Sequence, residues 1–393
     1  MINNVDFLGT ICVQFSSYND FSQNIYKRII FSEENSTNKS NEILIVENLL
    51  PADLEKNFFG YIYNKNFITD ILTKSLLIEL ENCQACFLEK DIVNIFFLKD
   101  KAFIKRIFRN DSNDNILFLT NKCNSNCIFC PDSDEIRKND KEYVEDALKL
   151  LELYPETIRH IGITGGEPTL LKDNFFNILS ECKNKFPNIE YTIISNGRMF
   201  FYKDFCYKYI ESKPLNTTIA IPLHGYNEET HDKVTRVNGS FRQTVIGLKN
   251  LLLLKEKIEI RIVLNKTNYN SLYKIINLII NNFSGIKEVN ILSLELLGNA
   301  GKNYKDFWVE KNEINSSLHS CIPLLIKNKI KVNLYNFPLC FLNSEFWTLS
   351  RKSITDYKSK YGDECTSCRE KPNCDGFFFS TYNLIKPLLN PIK

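Results

Sequence analysis

The sequence predicts an α/β protein built on a partial parallel (β/α)6 barrel, with a small mixed α/β domain before it and a Cys-rich extension behind it. Three observations predict this. From Asn115 onward, short runs rich in β-branched residues alternate with longer amphipathic segments, the pattern of serial βα units and a parallel sheet. Every distinctive motif in that region follows the C-terminal end of a strand candidate. Contributions from many strand ends converge readily at a barrel mouth, whereas an open doubly wound sheet gathers its site at one switch point. Finally, the 13 cysteines include two groups, Cys123, Cys127 and Cys130 inside this region and Cys340, Cys365, Cys368 and Cys374 beyond it.

Taken in order, residues 1–110 read as a mixed domain without an assigned role, with short apolar runs such as Glu42–Val46 and Ile92–Phe97 between polar segments. Cys83 and Cys86 form a C-x-x-C that reads as a redox pair or as two structural thiols. The stretch Lys101–Arg109 alternates basic and apolar residues and reads as a solvated face. Residues 111–320 hold the barrel, with strand candidates at 116–120, 158–163, 190–195, 217–223, 258–264 and 288–294. Between them, Tyr143–Leu153 and Phe241–Leu252 carry apolar residues at i, i+3, i+4 and i+7, which is helical spacing. Residues 321–393 form the Cys-rich extension.

Composition narrows the function classes. A chain of 393 residues with 44% hydrophobic and 24% charged residues buries a large core as an ordinary globular protein. Lys+Arg 49 against Asp+Glu 47 gives a net charge of +2, too balanced to argue for nucleic acid or an anionic membrane surface. Met1-Ile-Asn-Asn-Val-Asp lacks a basic region followed by an apolar stretch, and no apolar run is long enough to span a bilayer. Cysteines in such a chain are expected to be reduced, in the cytoplasm, and to serve metal or redox roles.

Cys123, Cys127 and Cys130 form a C-x3-C-x2-C triplet on a polar loop directly after the first strand candidate. An iron-sulfur cluster held by three protein thiolates keeps one iron open to a further ligand. A closed zinc site needs a fourth Cys or His at suitable spacing, and none follows locally, the next being His160 and Cys182. Gly165-Gly166-Glu167-Pro168 follows the second strand; glycines permit close backbone approach, and Glu167 offers a carboxylate to an ammonium group. Ser195-Asn196-Gly197 follows the third strand, His224 and His231 the fourth, and Glu295 ends the sixth. Arg261 lies on the fifth, and a guanidinium matches a carboxylate bidentately, although a structural arginine fits as well. His160 reads as structural, and His319 carries no motif. Cys340, Cys365, Cys368 and Cys374 are spaced C-x24-C-x2-C-x5-C, enough thiolates to encircle one metal centre, with zinc as one occupant.

The triplet, with Phe129 in its aromatic position, followed by Gly-Gly-Glu-Pro after the next strand, resembles the radical S-adenosylmethionine (SAM) superfamily. That resemblance implies that Cys123, Cys127 and Cys130 bind a 4Fe-4S cluster whose fourth iron is chelated by SAM, and that Gly165, Gly166 and Glu167 meet the SAM methionine moiety. One-electron reduction then cleaves SAM to methionine and a 5'-deoxyadenosyl radical. Ser195 and Asn196 fit the segment that meets the ribose, and Arg261 is a candidate for the SAM carboxylate. His224 stands where related peptide-modifying proteins carry an acid; it or His231 touches substrate or relays a proton, with structural hydrogen bonding as the other reading for each. The four later cysteines resemble an auxiliary domain that holds a second 4Fe-4S cluster.

Further segments extend the likeness: Ile161–Leu171, Ile221–Gly225, Tyr335–Cys340 and Arg351–Tyr357. Together they resemble the C-component radical SAM maturase of His-Xaa-Ser repeat peptide systems, over about residues 115–385. The implied partners are SAM, a ribosomally made precursor peptide, a low-potential electron donor such as a flavodoxin or ferredoxin, and a second radical SAM maturase. A radical SAM enzyme acting on a small molecule or RNA is the alternative within the superfamily. A non-catalytic iron-sulfur or zinc protein is the alternative outside it, and the intact Gly-Gly-Glu-Pro argues against that.

Overall fold

The computed structural model describes residues 10–15, 25–31, 34, 36–46, 58–64, 76–80, 87–98, 101–132, 140–355, 358–387 and 389–393. The chain divides into two compact units, Met1–Leu117 with Val144–Gly162, and Phe118–Tyr143 with Ile163–Lys393.

In the first unit, β-rich runs form β1 (Thr10–Phe15), β2 (Ile25–Ile30), β3 (Glu42–Val46), β4 (Gly60–Asn64), β5 (Leu76–Leu80), β6 (Ile92–Leu98) and β7 (Lys101–Phe108). They close into a barrel in the order β1-β5-β4-β3-β2-β6-β7. The pairs from β2 to β5 are parallel and the others antiparallel. Ile29, Ile43, Ile45, Ile62, Val93, Ile95 and Ile104, β-branched side chains that pack well on a pleated surface, fill the core together with Phe87. Helix α1 (Val144–Leu153) joins this unit. Its last carbonyl, on Leu153, accepts from Arg28 Nε and Nη2 at 3.2 and 2.7 Å, which satisfies a group the helix itself leaves unpaired. The basic and apolar alternation of 101–109 becomes β7, with Ile104 and Phe108 buried and Arg106 paired to the buried Asp91 at 3.1 Å. Cys83 and Cys86 lie outside the described residues.

The second sheet has eight strands in chain order: β8 (Ile116–Phe118), β9 (His160–Thr164), β10 (Glu190–Ile194), β11 (Thr217–Pro222), β12 (Lys257–Leu264), β13 (Glu288–Ser293), β14 (Lys331–Tyr335) and β15 (Ser350–Arg351). Every pairing from β10 to β15 is parallel. Consecutive parallel strands without a switch point have the order of a barrel left open between its first and last strands. All six predicted strands are present; β14 and β15 add two the sequence reading did not anticipate. One face is a ladder of Ile221, Ile260, Val289 and Val332, then Ile262, Ile291 and Leu334. The alternate positions carry Arg261, Asn290 and Asn333 in register.

The crossovers include α2 (Asp173–Lys185), α3 (Lys203–Ser212), α4 (Glu228–Thr235), α5 (Ser240–Leu253) and α6 (Leu272–Asn282). In α6, Leu272, Ile275, Ile276 and Ile279 form one apolar stripe with no exposure, each worth about 1.5–3 kcal/mol of burial. Short α7 (Gly298–Lys302) and α8 (Tyr304–Phe307) precede α9 (Lys311–Lys327). Near the C-terminus, β16 (Ser359–Lys360) pairs antiparallel with β17 (Phe377–Phe378), and α10 (Phe379–Ile385) follows. Among the described residues no helix is long and apolar enough to cross a membrane.

Candidate functional site

The cysteine loop is fastened along its whole length. Where the chain leaves β8, Thr120 bridges Glu142, and its hydroxyl donates to the Lys141 carbonyl at 2.9 Å. The backbone amides of Gly166 and Glu167 donate to the carbonyls of Thr120 and Lys122, both at 2.7 Å. In mid-loop, Asn196 Nδ2 donates to Asn124 Oδ1 at 2.6 Å, and Arg198 Nη1 donates to Ser125 Oγ at 3.1 Å and to the Asn124 carbonyl. Farther on, Asn126 and Ile128 donate their amides to the carbonyls of Thr235 and Val234 at the end of α4, each at 2.9 Å. The Cys130 carbonyl accepts from the amide of Asn299 in α7 at 3.2 Å.

Cys123, Cys127 and Cys130 are each partly exposed and line a single cavity of about 260 Å³. Phe129, Gly165, Gly166, Ser195, Asn196 and His224 line the same cavity. Among the described residues no group of three His, Cys, Asp or Glu side chains converges as around a single metal ion. The fit to a metal group therefore lies in the donor set, three thiols on one preformed loop facing one cavity.

The two glycines are required by the loop itself. A Cβ on Gly165 would sit 2.5 Å from the Thr120 carbonyl oxygen, and one on Gly166 would sit 2.3 Å from that of Lys122. Both obstacles are backbone and cannot swing aside. Gly166→Ala is expected to cost about 1–3 kcal/mol, read as a fall in the chemical-denaturation midpoint. An unchanged midpoint would refute the close approach.

Glu167 has no exposure, and its carboxylate is turned inward. Oε1 accepts from the Thr169 amide (3.2 Å), the Thr169 hydroxyl (2.5 Å) and the Ser195 hydroxyl (2.8 Å), while Oε2 accepts from the Asn196 amide (2.6 Å). Burial raises its pKa against the opposing pull of these bonds. Glu167 thus clasps the end of β9 to the end of β10. Asn196 Oδ1 accepts from the Arg198 amide at 3.0 Å, and Gly197 takes φ 77°, so Ser195–Arg198 is a side-chain-braced turn at the cavity wall. Arg261 lies on the polar face of β12, with Nε 2.5 Å from Glu259 Oε1, an ion pair within its own strand.

His224 is 6% exposed. Its ring stands edge-on to Phe129 with centroids 5.3 Å apart and lies 5.4 Å from that of His231. Its Nδ1 is sealed from solvent with no hydrogen-bond partner. Burial, then the His231 charge, lowers the His224 pKa to about 3. Burial likewise lowers His231 to about 4, with Asp232 opposing and Arg198 adding to the shift. The unfolded chain protonates these rings near pH 6.5, so it binds more protons than the folded chain below that pH. Stability is expected to fall as pH drops from 6.5 towards 4, by about 1.4 kcal/mol per pH unit for each histidine. His224→Gln should remove about one proton from that slope in denaturation series of the metal-free chain; an unaltered slope would count against a buried neutral ring.

The later cysteines also share a pocket. Cys340, Cys365, Cys368 and Cys374 line one pocket together with Pro338, Tyr361 and Phe377. Burial, then Cys374 and Cys365, pushes the Cys340 thiol up to about 12, and burial raises Cys365 and Cys374 as well. Two backbone amides, of Leu339 and Gly376, point at Cys374 Sγ, each at 3.3 Å. Cys321, by contrast, is a fully buried thiol within α9. His160 Nδ1 lies 2.7 Å from the Asn113 carbonyl in the first unit.

Sequence reasoning passed over several residues that shape the loop. Arg198 directly follows the Asn-Gly turn, and Asp232 caps α5 by accepting from Gly239, Ser240 and Phe241 at 2.6–2.7 Å. Gly298 is pressed against the Cys130 and Pro131 carbonyls, where a Cβ would meet oxygens at 2.8 and 2.3 Å.

Residues 117–279 match the model of the radical SAM superfamily. A protein of Saccharolobus islandicus named probable GTP 3',8-cyclase is 30% identical over 185 residues, 46% of this chain and 56% of that protein. The chain spans about half the length of the curated relatives of this kind. Among solved structures, Streptococcus suis SuiB bound to S-adenosylmethionine is similar at TM-score 0.48 and 14% identity, covering 69% of this chain and 73% of that one. The same protein bound to precursor peptide SuiA is similar at TM-score 0.45 and 17% identity, over 56% and 47%. The cysteine loop and the Gly-Gly-Glu-Pro segment both lie inside residues 117–279, the part of the chain that matches the radical SAM superfamily.

Proposed function

We propose that the chain is a radical SAM peptide maturase, in which Cys123, Cys127 and Cys130 hold a 4Fe-4S cluster and a His-Xaa-Ser repeat precursor peptide is the substrate. The observation that carries this reading is the convergence of the three thiols with Gly165, Gly166, Ser195 and Asn196 on one cavity. When bound, the cluster and SAM supply a 5'-deoxyadenosyl radical that takes a hydrogen atom from substrate. The chain's own part is to position and to exclude. Backbone bonds fix the loop, Phe129 and Phe307 build an apolar wall beside it, and the neutral His224 ring offers Nδ1 without adding charge. Cys340, Cys365, Cys368 and Cys374 are proposed to hold a second, auxiliary 4Fe-4S cluster, the donor set being four thiols that line one pocket, with two amides aimed at one sulfur. A low-potential electron donor and a second maturase complete the proposed partners.

Anaerobic reconstitution tests the cofactors. About eight irons per chain are expected, falling to about four in Cys368→Ala. Zinc in place of the second four irons would overturn the auxiliary cluster. Coexpression with a repeat peptide should then give a mass change that requires Cys127. A second reading, a nucleotide substrate, is favoured by the 30% identity to proteins named probable GTP 3',8-cyclase. Consumption of GTP by reconstituted chain, with the peptide unmodified, would select it.

A further inference from the structure

The cysteine loop is held by a buried cation that pairs with no carboxylate among the described residues. Arg198 is 9% exposed and lines the cavity shared by Cys123, Cys127 and Cys130. Its Nε donates to Gln243 Oε1 at 2.7 Å, and its Nη1 donates to Ser125 Oγ at 3.1 Å and to the Asn124 carbonyl. It joins no ion pair among the described residues. The nearby Asp232 carboxylate spends both oxygens on the N-terminus of α5, and Asp132, on the same cavity wall, does not pair with it. A guanidinium removed from water without a counter-charge is unfavourable, so such a group marks a place where negative charge arrives.

We propose that Arg198 is the positioning residue of the cluster site: its fork fixes the Asn124–Ser125 segment between the first two cysteines, and its charge balances the three thiolates once they ligate iron. The inference rests on the iron-sulfur reading given above. Two features show that the fork is aimed rather than loose. Thr244 Oγ1 donates to the Asn196 carbonyl at 3.1 Å, and a Cβ on Gly247 would lie 2.3 Å from the Gly197 carbonyl oxygen. Helix α5 is thus packed hard against the turn that carries Arg198 and presents Gln243 as the second anchor. The planar guanidinium serves partners on two sides at once, which the point charge of a lysine cannot do. Positive charge beside a cluster favours its reduced, more negative state.

The test compares wild type, Arg198→Lys and Arg198→Met as full chains reconstituted anaerobically. Iron loss to a chelator and the midpoint potential of the signal that SAM perturbs are measured beside the thermal unfolding of the metal-free proteins. Arg198→Met is expected to lose that iron at least tenfold faster and to have a more negative potential. Arg198→Lys is expected to recover the potential while still losing iron faster, because it keeps the charge and not the fork. If Arg198→Met does not fold, the lysine variant decides: wild-type iron retention would overturn the proposal. A folded Arg198→Met chain that matches wild type in both readouts would overturn it alone. A wild type that takes up no iron would overturn it together with the cluster reading.

Discussion

Cys127→Ala is expected to reduce the release of 5'-deoxyadenosine from SAM to the level of a protein-free control, while the chain stays folded. Loss of one of three thiolates leaves two protein ligands for a cluster that already keeps one iron open, and such a cluster is not retained. The fold should persist at a cost of about 1 kcal/mol, because the loop bonds described above run through backbone groups and through Asn124, Ser125 and Arg198. Cys182→Ala supplies the contrast. Cys182 is fully buried in α2 and lines neither cysteine-bearing cavity, so it packs rather than ligates. It should lower thermal stability modestly and leave SAM cleavage intact. Wild-type cleavage by Cys127→Ala would end the mechanism.

Glu167→Ala is expected to be the most destabilising single change in the site, at about 3–5 kcal/mol. Removal of the carboxylate, itself without exposure, leaves two backbone amides, on Thr169 and Asn196, and two hydroxyls, on Thr169 and Ser195, without their acceptor. Each stranded donor costs about 1–3 kcal/mol, and the costs do not add fully because the neighbours relax together. Glu167→Gln keeps one carbonyl oxygen and should fall between. Denaturant midpoints measure both; a loss below about 1 kcal/mol in Glu167→Ala would show that the clasp does not hold β9 to β10.

The fold was largely legible because its strands are branched apolar runs in a regular alternation with helices. Ile219, Ile221, Ile260, Ile262 and Ile291 stand both in the predicted runs and in the buried ladder. β14 (Lys331–Tyr335) escaped because it falls in the region read as the Cys-rich extension, and β15 because two residues are too few for periodicity to register. In the candidate site, thiol spacing and the Gly-Gly-Glu-Pro segment were visible because adjacent residues carry them. The inward turn of Glu167 and the pairing of Arg261 with Glu259 were not, since a motif names a side chain and not the direction its backbone gives it. Arg198 was missed for a related reason. Its partners Asn124 and Ser125 lie 74 and 73 residues away, and no local pattern announces such a contact.

The wide sequence span of those fastenings has a consequence for biosynthesis. The loop at Cys123–Cys130 is braced by Glu142, Gly166, Asn196, Arg198, Thr235 and, last, Asn299. At roughly 5–20 residues per second, the ribosome needs about ten to thirty seconds after Cys130 to deliver that final brace. During that interval the thiols emerge on a loop without its full set of supports. On the iron-sulfur reading proposed above, cluster loading is expected to follow completion of the sheet through β13 and α7, late in the life of the nascent chain.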